Sequence, residues 1–343
     1  EEKEKEKEEE KEEETQEALS ISYSTWIEWI ESQFTESELD SITDDFLEEH
    51  SYTLLDRSVC GSVKVLEKIH TPSSDSDEVL IRRSMEFANS PDFEQSAVLA
   101  TRDAPRRLLL DRLLSPVHEA LLAALSPSDA RPRNRSATAS LVFVLGGGGC
   151  VLSSAGSRLH KDLRFVTAEL DPIVAQLARE HFLGDKVPTN FELRVCDGIE
   201  MVRNASDRSL HALLVDVASK QTSERTENGD PPMVLIPPPL FLTDRFLGEA
   251  RRALSPDGVF AMNVCLESGI SSRAAFRQHL APLCHRNGFP LVRVVPILAH
   301  RQFVLIASCA HPGLSSWTQS WQWYREKSQT RSELDHCVEY RGE

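Results

Sequence analysis

Four consecutive glycines, Gly146 to Gly149, directly follow the apolar run LVFVL at 141–145. Glycine loses more backbone freedom on folding than any other residue, so such a cluster is costly unless the geometry requires it. One interpretation is a flexible loop. The other is a strand that ends in a tight turn, where bare backbone approaches a ligand before a helix begins. The glycines alone do not separate these two interpretations.

Acidic residues follow the next three apolar runs at matching positions. Glu169 stands about twenty residues after the glycines, where a carboxylate can accept both hydroxyls of a ribose. Asp197 follows the third run, and Asp216 ends the fourth. Because the carboxyl ends of parallel strands meet at one edge of a sheet, we expect these acids to lie together beside the glycine turn. The alternative interpretation is that each acid caps the N-terminus of the helix that follows it. This alternative applies above all to Asp171.

The elements that must position these residues alternate between strand and helix after residue 138. Apolar runs predict strands, and apolar residues at helical spacing predict helices. The predicted strands are 140–145, 164–170, 191–196, 211–216, 258–264, 290–298 and 301–308, and the predicted helices are 171–182, 243–254 and 271–286. The last two strands are close enough in sequence to form an antiparallel pair. The pattern predicts an α/β fold with a doubly wound, mostly parallel, seven-stranded sheet that is Rossmann-like.

Composition divides the chain into segments. We expect a disordered acidic low-complexity segment, an acidic helical extension, a small β unit that contributes to the ligand site, the main domain and a C-terminal tail. These segments are 1–17, 18–56, 57–103, 104–310 and 311–343. Alternating apolar residues make 51–70 and 77–88 strand-like, leucines at helical spacing predict a helix within 104–125, and 223–236 is predicted to be a mobile loop. The first methionine is Met85, so the chain is expected to lack the start of its gene product.

The net charge of −16 belongs wholly to the N-terminal part of the chain. Residues 1–57 hold 21 acidic and 5 basic residues, whereas the remaining residues hold 33 of each. This balance argues against nonspecific nucleic-acid binding, and no apolar run approaches the roughly 18 residues of a membrane helix. Seven scattered cysteines without a CxxC motif indicate a reducing, cytoplasmic location. The eleven histidines show no metal-ligand spacing, so no metal is expected, and the oligomeric state is left open.

The glycine turn differs from one that binds a dinucleotide. No glycine follows Gly149 until Gly156, and no basic residue lies nearby to meet a pyrophosphate. A nucleoside cofactor without phosphate fits better, which points to S-adenosyl-L-methionine or its decarboxylated form. Asp197 would then accept the adenine amino group. The neighbouring Cys196 is interpreted as a core residue rather than a nucleophile.

Seven stretches together resemble the spermidine synthase-like branch of class I methyltransferases. They are RRSMEF...SPDFEQSAVL (82–99), LVFVLGGGG (141–149), AELDP (168–172), VCDG (195–198), DVASK (216–220), PPPLFLTDRFL (237–247) and LSPDGVFAMNV (254–264). Within that branch, the chain is most similar to the C-terminal domain of the eukaryotic elongation factor 1-alpha lysine and N-terminal methyltransferase family. The resemblance covers roughly residues 60–310. It implies the methyltransferase version of the predicted sheet, with S-adenosyl-L-methionine as the cofactor.

The resemblance implies a role for each matching position. Gln95 would reach the methionine part of the cofactor, and the glycine turn would surround its aminoacyl group. The implied cofactor-binding residues are Gln95, Gly146, Gly147, Gly148, Glu169, Leu170, Asp197 and Gly198. Asp216 would be catalytic, facing the reactive end of the cofactor and the incoming amine. Ser219 is a candidate substrate contact, and Pro238 and Phe241 are two more, because the prolines of PPPLF make a rigid apolar wall.

Three positions depart from the family pattern. Leu145 stands where the motif usually opens with glycine, and Ala97 and Ala218 stand where it has acids. The leading hypothesis is a protein N-methyltransferase that modifies the N-terminal amine, or a lysine, of elongation factor 1-alpha. A polyamine aminopropyltransferase is the second hypothesis, although only Asp216 remains to hold a diamine and Lys220 would repel it. A non-catalytic binding module with the same fold is the third.

Overall fold

The computed structural model describes residues 52–58, 61–70, 79–87, 94–102, 106–125, 140–184, 186–218, 234–267, 272–298 and 302–309. All of these residues belong to one compact unit. The predictions for 1–17 and 311–343, and most of those for 18–56 and 223–236, lie outside the described residues. So does Ser219.

The first sheet is antiparallel and four-stranded. Its strands, in spatial order, are β1 (Tyr52–Ser58), β2 (Gly61–His70), β3 (Leu80–Phe87) and β4 (Glu94–Thr101). Val63 and Val65 are buried at alternate positions of β2, as the sequence pattern predicts. The sequence does not signal β4, because its residues 96–100 are all buried and show no alternation. This strand carries Gln95 towards the second sheet.

The second sheet contains eight strands and confirms the predicted doubly wound, mostly parallel α/β architecture. Its strands are β5 (Leu141–Leu145), β6 (Arg164–Glu169), β7 (Phe191–Val195), β8 (Leu210–Val215), β9 (Val234–Ile236), β10 (Leu254–Leu266), β11 (Leu291–Leu298) and β12 (Gln302–Ser308). The order is β11-β12-β10-β8-β5-β6-β7, with the short β9 paired to β10. Strands β5, β6, β7, β8 and β10 are mutually parallel, and β12 pairs antiparallel with both β10 and β11.

Alternate residues of β5 are buried on opposite faces of this sheet. Val142 and Val144 belong to one apolar cluster, and Phe143 and Leu145 belong to the other. A strand that is apolar on both faces must be covered by other elements on both sides. The continuous apolar run at 141–145 is therefore the expected sequence of a central strand.

Helices cover both faces of the second sheet. They are α1 (Pro116–Ala123), α2 (Val151–Leu159), α3 (Pro172–Leu177, continuing as the π-helix Ala178–Phe182), α4 (Gly198–Arg203), α5 (Asp244–Ala253) and α6 (Ser272–Ala275, a π-helix Phe276–Leu280, and Ala281–Arg286). α1, α2 and α3 contribute to the cluster that contains Val142, and α4, α5 and α6 contribute to the cluster that contains Phe143. None of the helices in the described part of the chain has the length and apolar character of a membrane span.

Three sequence expectations about elements were wrong in detail. The helix expected within 104–125 is confined to Pro116–Ala123, because the backbone of Leu108 and Leu109 pairs with β4 instead of continuing a helix. The last three residues of the predicted loop 223–236 form β9, which adds an eighth strand to the seven predicted. Strand β10 begins at Leu254, four residues earlier than predicted, and its register shifts before Val259.

Candidate active site

A cavity of about 470 Å³ opens at the carboxyl ends of β5, β6 and β8. Strand β5 lies between β6 and β8, so this is the point where the strand order reverses and where ligands bind in such sheets. The cavity is lined by every described residue of the predicted site: Gln95, Gly146, Gly147, Gly148, Glu169, Leu170, Asp197, Gly198, Asp216, Pro238 and Phe241. The structure thus brings these residues together, and their roles stay predictions.

The glycine turn begins one residue after Leu145. Leu145 is still a regular strand residue, paired with Ala168 and Val215. Gly146 has a φ of +88°, and its N–H donates to the carbonyl of Ala168 at 3.1 Å. A Cβ atom at Gly146 would lie 2.2 Å from the carbonyl oxygen of Asp216. Glycine is therefore required at this position, and leucine in the preceding position keeps the strand intact.

The carboxylate of Glu169 is bound to backbone on both sides. Its Oε2 accepts a hydrogen bond from Gly148 N–H at 2.8 Å, and its Oε1 accepts one from Asp171 N–H at 2.9 Å. Burial raises the pKa of Glu169, and the backbone hydrogen bonds act in the opposite direction. An ionised carboxylate offers about four lone-pair sites, so each oxygen can still accept a hydroxyl donor. The geometry is compatible with the predicted ribose contact.

Two other acids at strand ends cap helices. Asp171 is buried and accepts a hydrogen bond from Ile173 N–H at 2.9 Å, which makes it the N-cap of α3. Asp197 accepts bonds from the N–H groups of Ile199 and Glu200 through Oδ1 and caps α4. Asp171 therefore caps a helix, which is the alternative that the sequence analysis gave for it. Asp197 lines the cavity while it caps α4, so its adenine contact stays a prediction.

The two residues beside Asp197 differ in what they contribute. Gly198 approaches Leu145 closely, because a Cβ atom at Gly198 would lie 3.1 Å from the leucine Cδ2. Cys196 packs against the same apolar cluster as Leu145 and also lines the cavity. Burial raises the pKa of the Cys196 thiol, which favours the unreactive protonated form. The cysteine thus forms part of the apolar wall.

Asp216 is held by side chains from distant parts of the chain. Its Oδ2 lies 3.0 Å from Nε2 of His118, and its Oδ1 accepts a hydrogen bond from the amide of Asn263 at 2.9 Å. The side-chain oxygen of Asn263 in turn accepts a bond from Gln302 at 3.1 Å. Burial alone would raise the pKa of Asp216, but the hydrogen bond and charge of His118, with the Asn263 bond, hold the pKa below its usual value. Asp216 is therefore a carboxylate at neutral pH.

Sequence reasoning missed His118, Asn263 and Ser96. His118 lies on α1, 98 residues before Asp216, and nothing in its local sequence marks it as a site residue. Asn263 did give a signal, because it is the one polar residue within the apolar run VFAMNVCL of β10. Ser96 adjoins Gln95 on β4, and its type alone does not distinguish it from other buried serines.

Ser96 joins the first sheet to the glycine turn. Its Oγ accepts a hydrogen bond from Gly149 N–H at 2.8 Å and donates one to the carbonyl of Gln95 at 2.7 Å. A Cβ atom at Gly148 would lie 2.8 Å from this Oγ. The serine hydroxyl therefore sets the distance between β4 and the turn.

Replacing Ser96 by alanine is expected to lower the free energy of unfolding by about 1–3 kcal/mol, because the buried Gly149 N–H loses its acceptor. Urea denaturation measures this change. Ser84→Ala is the matched control, since Ser84 is buried in β3 of the same sheet and bonds only to Glu86 at 3.4 Å among the bonds described for its side chain. Equal losses in the two variants would contradict a special role for Ser96.

The ionisable groups of the cavity are mainly acidic. The described lining residues include the carboxyl groups of Glu169, Asp171, Asp197 and Asp216, and they include neither lysine nor arginine. His118 is the basic side chain among them. A cavity with four carboxyl groups and neither lysine nor arginine among its described lining residues favours positively charged ligands, because the attraction grows as water is excluded.

An apolar wall of the cavity is formed by Pro238 and by Leu240 and Phe241 of the 3-10 turn Pro239–Leu242. Phe241, a predicted substrate contact, is largely buried, and its ring packs edge-on against Phe246 at a centroid distance of 5.0 Å. Leu240 is instead 66% exposed and also lines the cavity. The structure therefore adds Leu240 to Pro238 and Phe241 on this wall.

Comparison with known proteins gives the same fold. No family model matches the chain. The solved structure of a probable spermidine synthase from Corynebacterium glutamicum superposes with a TM-score of 0.52 at 18% identity, and the match covers 80% of this chain and 93% of that one. This chain therefore has the same Rossmann-like α/β fold as that probable spermidine synthase.

Curated proteins are also similar to this chain in sequence over part of its length. The eEF1A lysine and N-terminal methyltransferase homolog of Drosophila melanogaster is 30% identical over 145 residues, which are 40% of this chain. The match spans only 20% of the length of the fly protein. The polyamine aminopropyltransferase of Halorhodospira halophila is 26% identical over 236 residues, which are 68% of each chain.

Proposed function

We propose that this chain is an S-adenosyl-L-methionine-dependent protein N-methyltransferase. The proposal rests on the part of the cavity that Asp216 lines, which we call its acceptor end. The next two lining residues there, Val217 and Ala218, are apolar. A single carboxylate beside apolar side chains suits one amine, whereas a diamine has two separate charges to hold. The fly relative is named for methylation of an elongation factor, and its similarity supports the same reaction class.

The described residues fit such a cofactor. The cavity volume of about 470 Å³ lies within the range of about 300–1,000 Å³ that is usual for small-molecule sites. The turn at Gly146–Gly148 has no side chains, which leaves room beside the cavity. Cβ atoms on this turn would clash with Glu169 and Ser96. Glu169, Leu170, Asp197 and Gly198 would hold the nucleoside, and Gln95 with the glycine turn would hold the aminoacyl part. When bound, S-adenosyl-L-methionine supplies an electrophilic methyl group on a sulfonium.

The chain itself must align a neutral amine with that methyl group. Methyl transfer is an in-line displacement, so positioning supplies most of the catalysis. Asp216, which is ionised, accepts an N–H hydrogen bond from the amine and so orients the nitrogen lone pair. The apolar wall of Pro238, Leu240 and Phe241 reduces the hydration of the amine, which opposes the stabilisation of its charged form by the Asp216 carboxylate.

An N-terminal α-amine suits this site better than a lysine side chain. The ordinary pKa of an α-amine is near 8, whereas that of lysine is about 10.4. Less desolvation is therefore needed to produce the neutral nucleophile. The acceptor proposed is the N-terminus of elongation factor 1-alpha, which follows the name of the fly relative.

The test incubates the protein with isotope-labelled S-adenosyl-L-methionine and recombinant elongation factor 1-alpha that has a free or an acetylated N-terminus. We expect labelling of the free form only, located by mass spectrometry, and its loss in Asp216→Asn. Equal labelling of both forms would contradict the N-terminal acceptor. Absence of labelling, with cofactor binding intact by calorimetry, would favour the non-catalytic module.

A polyamine aminopropyltransferase is the second candidate. The observation that favours it is the bacterial relative, whose similarity extends over 68% of both chains, compared with 40% of this chain for the fly protein. Decarboxylated S-adenosyl-L-methionine with putrescine is therefore included as a parallel assay. Product formation there, without protein labelling, would replace the first proposal by the second.

Cofactor affinity is expected to depend on pH through Glu169. Ribose hydroxyls donate to the ionised carboxylate, so binding favours deprotonation of Glu169. Since burial raises its pKa, affinity for S-adenosylhomocysteine falls with decreasing pH sooner than it would for an ordinary glutamate. Calorimetric titrations between about pH 5 and pH 8 measure this change. The same decrease in Glu169→Gln would show that another group is responsible.

A further inference from the structure

The carboxylate of Asp216 has side-chain hydrogen-bond partners on both of its oxygens. His118 approaches Oδ2 from α1, and Asn263 approaches Oδ1 from β10. Gln302 on β12 then binds the oxygen of the Asn263 amide. The residue at the acceptor end of the cavity is thus fixed by one helix and two strands that are far from it in sequence.

The direction of these hydrogen bonds follows from the charge of Asp216. An ionised carboxylate only accepts hydrogen bonds, so Nε2 of His118 must carry the proton in that contact. The amide of Asn263 cannot turn around without losing its bond from Gln302, and therefore its NH2 group faces Asp216. The remaining nitrogen of His118, Nδ1, is buried and has no hydrogen-bond partner among the described residues.

We propose that His118 is a positioning residue, which donates a hydrogen bond from Nε2 and, with Asn263, holds Asp216 as an oriented acceptor for the amine substrate. This inference rests on the proposed function. Two donors in fixed directions leave the other lone pairs of the carboxylate free for the amine N–H. His118 does not take the proton of the amine itself, because its Nε2 already donates to Asp216 and its Nδ1 is buried away from solvent.

The other ionisable groups near α1 are limited. α1 packs against α2, β10, β11 and β12, and the ionisable side chains of these elements are Glu119 of α1 itself, Arg158, Asp257, Cys265 and Arg293. Asp216 is the ionisable group that bonds His118 at 3.0 Å. A change in the titration of Asp216 is therefore the direct consequence of removing the imidazole.

The experiment compares His118→Ala with His118→Gln, since the glutamine amide can replace the Nε2–H donor. In His118→Ala we expect kcat to fall about 10–100-fold and the acid limb of the pH–rate profile to move to higher pH, with the Kd of S-adenosylhomocysteine unchanged. In His118→Gln we expect kcat within about fivefold of the wild type. His285→Ala is the control, because His285 bonds the carbonyl of Phe289 outside the cavity.

Two kinetic outcomes would overturn the inference. An unchanged pH profile and kcat in His118→Ala would show that Asp216 does not need the donor. Equal loss in His118→Gln and His118→Ala would show that the imidazole has a role of its own. Absence of methyl transfer by the wild type would instead contradict the proposed function. The failure of the proposed function can thus be distinguished from the failure of the inference about His118.

Nitrogen-15 NMR of the wild-type imidazole tests the geometry without any turnover. We expect His118 to carry a proton on Nε2, the nitrogen that faces Asp216. A neutral imidazole protonated on Nδ1 would overturn the inference, even if a variant fails to fold.

Discussion

Replacing Glu169 by alanine is expected to weaken the binding of S-adenosylhomocysteine about 10²–10⁴-fold. The carboxylate is proposed to accept two ribose hydroxyls, and hydrogen bonds to a charged group contribute roughly 1.5–3 kcal/mol each. The variant also loses the acceptor of Gly148 N–H, which holds the glycine turn in place. Both effects lower the affinity, which isothermal titration calorimetry measures directly.

Glu192→Ala is the matched control for this variant. Glu192 lies on β7, the strand next to Glu169, and it pairs with Arg164 and Arg194 at the surface outside the cavity. Its removal is expected to leave the affinity for S-adenosylhomocysteine unchanged. If Glu169→Ala also binds with wild-type affinity, Glu169 has no part in the cofactor site.

Gly146→Ala is expected to lower the free energy of unfolding by more than about 3 kcal/mol. The φ of +88° costs an L-residue about 1–2 kcal/mol, and a Cβ atom 2.2 Å from the Asp216 carbonyl oxygen must push β8 away from β5. The displacement reaches Asp216 itself, so cofactor binding and methyl transfer should be lost together. Thermal denaturation and calorimetry measure the two effects.

Alanine substitutions at two other glycines separate the cost of the positive φ from the cost of the close contact with β8. Gly184 also has a positive φ, +68°, but a Cβ atom there would be 3.7 Å from its nearest neighbour, so Gly184→Ala should cost only about 1 kcal/mol. Gly248 lies in α5 with nothing closer than 3.9 Å, and alanine there should stabilise the protein by about 0.5–1 kcal/mol. Similar losses at Gly146 and Gly184 would show that the close approach to β8 has little energetic weight.

The sequence predicted those parts of the site that follow from local pattern and sheet topology. Apolar runs identify the parallel strands, and the carboxyl ends of such strands must share one edge, so Glu169, Asp197 and Asp216 were expected to meet the glycine turn. The structure brings them together around one cavity. Leu145 shows the limit of motif comparison, because the turn simply begins one residue later than the family pattern suggests.

The parts that could not be predicted depend on contacts between distant segments. His118 reaches Asp216 only because α1 packs across the sheet, and no local period in the sequence encodes that contact. The leucines of 106–115 have helical spacing, but pairing of Leu108 and Leu109 with β4 outweighs it. The sequence pointed to Phe241 on the apolar wall but not to Leu240, which is 66% exposed, whereas Phe241 is buried against Phe246.

The position of β12 has a consequence for the order in which the molecule is assembled. This strand follows β10 and β11 in the chain but is inserted between them in the sheet. Until it is synthesised, β10 has an open edge on that side, and Asn263 lacks the Gln302 contact that sets its amide. The residues around the glycine turn are present much earlier. In a nascent chain that lacks β12, the residues proposed to bind the nucleoside are therefore all present, whereas Asn263, the partner of the proposed acceptor Asp216, is not yet held by Gln302.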